Sequence, residues 1–281
     1  MQTVDNQVIL VTGATDGLGK QVAHDLAGRG ATVLLHGRSR EKGEAILREI
    51  RYTAGNQNLI YYNADFSSLD AVRRLSEQLQ ADQERLDVLI NNAGIGAGTR
   101  QSRREKSTDG HELRFAVNYL APFLLTHRLL PLLRRSAPAR IINVASVGQQ
   151  PIEFDNVMLE DGYDGLRAYR QSKLAQVMFT FDLAEELEGT GITVNSLHPA
   201  TLMNTKMVFE TDYFRGAMST IKEGADAVEY LATSPELGGV TGEYFDGKRR
   251  ARANDQAYDK EARRRLRVLS EHLTKIKESD N

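Results

Sequence analysis

Cysteine is absent from the 281 residues, which removes disulfides, thiolate nucleophiles and thiolate metal ligands together. The chain suits a reducing compartment, and any redox chemistry it performs must come from a bound cofactor. Net charge is nearly absent too. With 36 Lys and Arg against 38 Asp and Glu, the balance of −2 does not draw the whole molecule to nucleic acid or to an acidic membrane. No apolar run is long enough to span a bilayer. The opening residues lack a basic region followed by an apolar stretch and enter a strand at once. Histidines at metal-ligand spacing are missing, as is any repeat, linker or low-complexity tract. These absences predict a cytoplasmic protein with no membrane, nucleic-acid or metal partner, folded as one domain over residues 1–281.

What is present is an alternation of two periods. Val8 to Val11, Thr32 to Leu35, Leu59 to Asn63, Val88 to Asn91, Ile141 to Val144 and Thr193 to Leu197 are short β-branched or apolar runs, and Val240 to Phe245 supplies a seventh. Between them, stripes such as Leu18-Val22-Leu26 and Leu69-Val72-Leu75-Leu79 have the spacing of helices lying on a sheet. This alternation predicts an α/β fold: a doubly wound, parallel, seven-stranded sheet with helices on both faces, in three αβα layers. A long helix is expected from Asp109 to Arg135 despite Pro122 inside it, and another from Leu166 to Leu187. Near the C-terminus, Ala262, Leu266, Leu269, Leu273 and Ile276 share one helical face that should dock on the body. The arginines of that helix, and Lys248 to Arg250 before it, are interleaved with Asp259 and Glu261, as on a solvated face.

Directly after the first strand, Gly13, Gly17 and Gly19 punctuate a turn, Gly13-Ala14-Thr15-Asp16-Gly17-Leu18-Gly19, that opens a helix. Glycines there permit unusual backbone angles and let a pyrophosphate approach the main chain, where exposed N–H groups and the helix dipole favour it. At the end of the second strand, where an acid would bind the hydroxyls of an adenosine ribose, stand Gly37, Arg38 and Ser39. A carboxylate would repel a 2′-phosphate and an arginine would pair with it, so NADP(H) is expected as cofactor, with NAD(H) second.

The spacing Gly-x-x-x-Gly-x-Gly resembles the short-chain dehydrogenase/reductase family, and later segments extend the resemblance from Val8 to the C-terminal helix. Asp65 and Phe66 match the family's adenine-contacting position, and Asn91-Asn92-Ala93-Gly94 matches its Asn-Asn-Ala-Gly motif. Asn118, Ser146, Tyr169 and Lys173 follow in the family's order, with Tyr169 and Lys173 four apart on one helical face. The resemblance implies a Rossmann fold and an oxidoreductase moving a hydride between nicotinamide and a carbonyl or alcohol.

In that chemistry Tyr169 is the acid/base and Ser146 positions the substrate oxygen. Lys173 holds the nicotinamide ribose and lowers the phenol pKa, while Asn118 anchors a relay water. Pro199, Thr201 and Thr205 match the loop that contacts the nicotinamide carboxamide, although Ala200 replaces the family's usual glycine. The sequence does not choose between the two threonines.

The interval from Ser146 to Tyr169 is wider than in compact members. It is similar to the retinol-dehydrogenase-like and protochlorophyllide-reductase-like branches, which suggests a medium or large, partly apolar substrate. Family habit further predicts a homodimer or homotetramer through the two long helices. The competing possibility is a non-catalytic NADP(H) sensor, but such proteins commonly lose the tyrosine or lysine that is present here.

Overall fold

The computed structural model describes residues 3–276, so both ends of the expected unit, residues 1–2 and 277–281, lie outside the described residues. Its strands are β1 (Val8–Val11), β2 (Thr32–Gly37), β3 (Leu59–Asn63), β4 (Val88–Asn91), β5 (Ala139–Val144), β6 (Ile192–His198), β7 (Glu243–Asp246) and β8 (Arg249–Arg250). They form one sheet in the order β3-β2-β1-β4-β5-β6-β7-β8. All pair in parallel except β7 with β8. Each parallel step needs a helical crossover, supplied in turn by α1 (Gly17–Gly28), α2 (Arg40–Ala54), α3 (Leu69–Asp82), α5 (Ala121–Arg135), α6 (Gly165–Glu186) and α8 (Ile221–Thr233). The strand order reverses between β1 and β4, which opens a crevice at their carboxyl ends.

The eighth strand adds to the seven expected. It is two exposed arginines returning antiparallel through a turn in which Gly247 adopts a positive φ of 58°. Two charged residues carry no periodicity, so only that turn marked the hairpin.

Two apolar cores lie on the two sheet faces. One joins Val22, Leu26, Leu47, Ile50, Val228 and Leu231 of α1, α2 and α8 to the strands; the other joins Leu75 and Leu79 of α3 to Leu125, Leu129, Leu174 and Met178 of α5 and α6. The helix predicted from Asp109 to Arg135 starts at Leu113 and keeps helical backbone angles at each junction, running through α4 (Leu113–Phe115), a π turn over Ala116–Leu120, and α5. Pro122 follows the π turn directly, so the hydrogen bond its ring removes falls where the helix already departs from the α pattern.

The three layers gain an outer piece. Helix α9 (Lys260–Thr274) lies outside α6: Arg263 pairs with Glu185 at 2.8 Å, Arg267 with Asp182 at 3.4 Å, and Ser270 hydrogen-bonds Tyr119 of the π turn at 2.7 Å. Along α5 only Pro131, Arg134 and Arg135 are exposed, and along α6 only Glu185 and Glu186. The faces of the two long helices, where the homodimer or homotetramer contact was expected, are largely covered within one chain.

Candidate active site

The glycine turn closes against the loop after β4. Gly13 and Gly17 have φ of +67° and +49°, and a Cβ on Gly13 would lie 2.8 Å from Ala93 Cα. A Cβ on Gly19 would meet the Gly13 carbonyl at 2.3 Å, so helix and turn approach as closely as only glycine allows. Asp16 caps α1 by accepting from Gly17 N at 2.8 Å, and Leu18 is buried in the core beneath the turn. The strap across the crevice is Thr12, which the sequence reading passed over. Its hydroxyl accepts from Asn92 N (2.9 Å) and Ala93 N (3.0 Å), while Asn92 Nδ2 donates to the Thr12 carbonyl at 2.8 Å. Its position as last residue before the first glycine was the available signal.

At the end of β2 no side chain fits where a ribose-binding acid would stand. A Cβ on Gly37 would lie 2.5 Å from the Thr15 methyl and 3.1 Å from the Tyr61 hydroxyl. Tyr61, also missed, donates to the carbonyls of Gly37 and Ser39 at 2.9 and 2.8 Å, and its ring occupies the space a Gly43 Cβ would need. Ser39 caps α2 through Lys42 N. Arg38 is exposed and makes no ion pair or hydrogen bond among the described residues.

Asp65 Oδ1 accepts from Ser67 N at 2.9 Å, ordering its own turn. The Phe66 ring, 4% exposed, stacks on His36 at 4.3 Å, so its side chain belongs to the core and only its main chain borders the crevice. Burial pulls the His36 pKa down to about 4. That neutral ring sits 3.0 Å from the Ala64 carbonyl through Nε2 and accepts from Gly13 N at 3.4 Å, tying the glycine turn to the end of β3.

Three elements bring the predicted acid/base group together: the π turn, the end of β5 and α6. Ser146 lies two residues beyond β5; its hydroxyl accepts from Gly148 N at 3.0 Å and reaches the Tyr169 phenol. Tyr169 and Lys173 stand one turn apart on α6, with Lys173 Nζ 5.9 Å from the phenol ring centroid. Lys173 is 5% exposed, and burial pulls its ammonium down to about 7. Burial pushes the Tyr169 phenol up, opposed by the Ser146 hydrogen bond. Burial thus acts against the lowering expected from Lys173 together with the positive nicotinamide ring of the oxidised cofactor.

Asn118 spends its side chain as a clamp. Its amide donates to Ile95 O (3.1 Å) and Ser172 Oγ (3.0 Å) and its oxygen accepts from Ile95 N (2.8 Å). Gly94 lies between these groups: a Cβ there would be 3.2 Å from Asn118 Oδ1 and 3.7 Å from Lys173 Nζ.

After β6, Pro199 leads the chain out of the sheet. Thr201 turns to His198, 3.1 Å from Nε2, whereas the Thr205 methyl would lie 3.4 Å from a Cβ on Gly17. The next segment, α7 (Lys206–Phe209), places Met207 against Gly96. Around it Met207, Phe209, Phe214 and Met218 are exposed, as is Val147 beside Ser146.

Residues 147–164, between Ser146 and α6, form no regular helix or strand but are pinned. Gln149 and Ile152 hydrogen-bond Asn254 and Gln256, and Gln171 reaches Val157 O at 2.6 Å. Buried Arg114 ties both sides of this mouth, donating to Gly96 O, Ala97 O and the Tyr163 hydroxyl. A separate cleft of about 960 Å³ opens at the opposite edge of the sheet; Arg140 on its wall is occupied in capping α8 through Leu231 O and Ser234 O.

Glycines without room for side chains at a helix start and a serine–tyrosine–lysine group at one sheet edge fit a nicotinamide dinucleotide. Residues 7–213 match the family model described as short chain dehydrogenase, and the chain belongs to that family of nicotinamide-dependent enzymes. Within the family it falls in the retinol-dehydrogenase-like branch. It is 37% identical to retinol dehydrogenase 13 of Mus musculus, over 96% of this chain and 84% of that protein.

Among solved structures, an uncharacterized protein of Mycobacterium paratuberculosis matches with a TM-score of 0.77 at 29% identity, over 96% of this chain and 94% of that one. A short chain dehydrogenase of Escherichia coli CFT073 complexed with NADPH matches with a TM-score of 0.71 at 27% identity, over 86% and 97%. Among the described residues no helix is long and apolar enough to cross a membrane.

Proposed function

We propose that this chain is an NADP(H)-dependent oxidoreductase acting on a carbonyl or alcohol, with Tyr169 as its acid/base. NADP(H), when bound, supplies or takes the hydride at carbon. The protein must then handle the oxygen and its proton. Ser146 holds the substrate oxygen by its hydroxyl, and Tyr169 gives that oxygen a proton in reduction and recovers it in oxidation.

Lys173 refills the proton and holds the nicotinamide ribose. Asn118 reaches the relay water through its main chain, since its amide is spent on Ile95 and Ser172. Asp16, Gly17 and Gly19 face the pyrophosphate, Asp65 and the Phe66 main chain flank the adenine, and Asn92 to Gly94 line the crevice floor. Pro199 and Thr205 take the nicotinamide end, Thr205 being the threonine that faces the glycine turn.

Two observations support NADP(H) over NAD(H): the filled space at Gly37 and the uncommitted guanidinium of Arg38. The exposed apolar side chains round the mouth, and the name of the mouse relative, favour a partly apolar alcohol or aldehyde, with retinoids first in a panel. The observation that carries the proposal is the meeting of the Ser146 hydroxyl, the Tyr169 phenol and the Lys173 ammonium beside the crevice.

Turnover of apolar aldehydes and ketones followed by NADPH absorbance tests it. Tyr169→Phe should lower kcat by roughly 10²–10⁴ with little change in the KM for NADPH. Near wild-type turnover by that variant would remove Tyr169 from the chemistry.

A further inference from the structure

One turn beyond Lys173 on α6, Gln176 is 1% exposed and presents its amide to the same ammonium. Lys173 Nζ donates to Gln176 Oε1 at 2.8 Å and to the Val144 carbonyl at 2.8 Å. The remaining amide group, Gln176 Nε2, is buried with no hydrogen-bond partner among the described residues. A leucine or methionine would fill this volume without burying an unpaired donor, so the amide needs a reason to be there.

Its location is held from below. The Thr180 hydroxyl donates to the Gln176 carbonyl at 2.8 Å, Asn143 Nδ2 donates to Thr180 at 2.9 Å, and Asn91 Nδ2 donates to Asn143 Oδ1 at 2.8 Å. Side chains of β4 and β5 thus fix the helix turn that carries Gln176.

Among the described residues no carboxylate pairs with the ammonium. Of titratable groups, Tyr169 on the same helix faces it, its ring centroid 5.9 Å away. The elements packed around it present the Val144 carbonyl from β5, Gly94 from the turn after β4, and Asn118 from the π turn, all uncharged. In such surroundings the charged form depends on neutral acceptors, and a hydrogen bond to the charged form favours it.

We propose that Gln176 is a positioning residue whose amide oxygen keeps the Lys173 ammonium charged and fixed beside the Tyr169 phenol. The proposal rests on the Ser146–Tyr169–Lys173 reading for its consequence in turnover, and it has a readout that needs no turnover.

The Nζ of Lys173 in the full chain can be titrated by ¹⁵N NMR, its signal identified by its loss in Lys173→Arg. The wild-type midpoint should fall at about 7. Gln176→Leu should lower it by about one pH unit, and Gln176→Glu should raise it by at least as much. In turnover, Gln176→Leu should lower kcat at pH 7 about fivefold with the KM for NADPH within about twofold, following the smaller charged fraction.

Opposite signs separate positioning from lost packing, which would move both variants the same way along with their Tm. Gln176→Met takes the place of Gln176→Leu if the latter does not fold. Equal midpoints in wild type and variants overturn the proposal even if Tyr169→Phe is inactive. Active Tyr169→Phe overturns the catalytic reading while the titration still decides on Gln176.

Discussion

Replacing Lys173 by methionine should change how stability depends on pH, not only abolish turnover. In the unfolded chain the ammonium keeps its proton up to the usual lysine value of 10.5, whereas in the folded chain burial releases it at about 7. Between those values the unfolded state binds the extra proton. The sign follows: stability rises with pH across the window, and the penalty is fully present below 7 and gone above 10.5.

At ~1.4 kcal/mol per pKa unit, moving from pH 7 to pH 9 relieves about 2 kcal/mol of the wild-type penalty. Methionine keeps the apolar stem but leaves the Val144 carbonyl and Gln176 Oε1 without their donor, a loss of about 1–3 kcal/mol each that does not vary with pH. The decisive quantity is therefore the difference between two pH values. Urea unfolding at pH 7 and pH 9 should show wild type gaining about 2 kcal/mol more than Lys173→Met. Equal gains would show that the lysine is solvated or paired, and would refute the reasoning from its burial.

Arg38→Ala should lower kcat/KM for NADPH roughly 10- to 100-fold, the value of a charge-assisted phosphate contact, and leave NADH nearly unchanged; equal effects on both would remove Arg38 from cofactor choice. Thr205→Ala should raise the KM for NADPH more than Thr201→Ala does, and the reverse order in steady-state kinetics would exchange their roles. Gly43→Ala must expel the Tyr61 ring, so thermal melting should report a loss of about 1–3 kcal/mol together with weaker NADPH binding. Light scattering at micromolar concentration should find no dimer built on α5 and α6, whereas cross-links between those helices of two copies would contradict the covering by α9.

Much of the fold was legible because its parts repeat a simple physical pattern. The central strands are buried on both faces, so runs such as Val8 to Val11 are continuously apolar, and the helix stripes from Leu18 and Leu69 lie where expected. The ordered motifs sit at one sheet edge because parallel strands all point their carboxyl ends the same way.

What escaped notice depends on contacts rather than periodicity. A π turn has no sequence period of its own, so nothing announced that the helix carrying Pro122 widens just before it. Tyr61 and His36 act through main-chain partners far along the chain, and nothing in their neighbours announces that. The pKa logic was legible in its ingredients but not its balance, since burial, which opposes the expected shift of Tyr169, is invisible before folding.

The outer helix α9 also bears on the order in which the molecule can be completed. Ser270 meets Tyr119 across 151 positions of sequence, and Leu266 packs into the same apolar cluster as Phe123 and Phe179. During synthesis these aromatic rings are made long before their lid, and contacts of such separation close slowly. Until α9 emerges, the growing polypeptide carries an uncapped oily seam, so a premature stop near residue 259 would leave a sticky product rather than a slightly shorter enzyme.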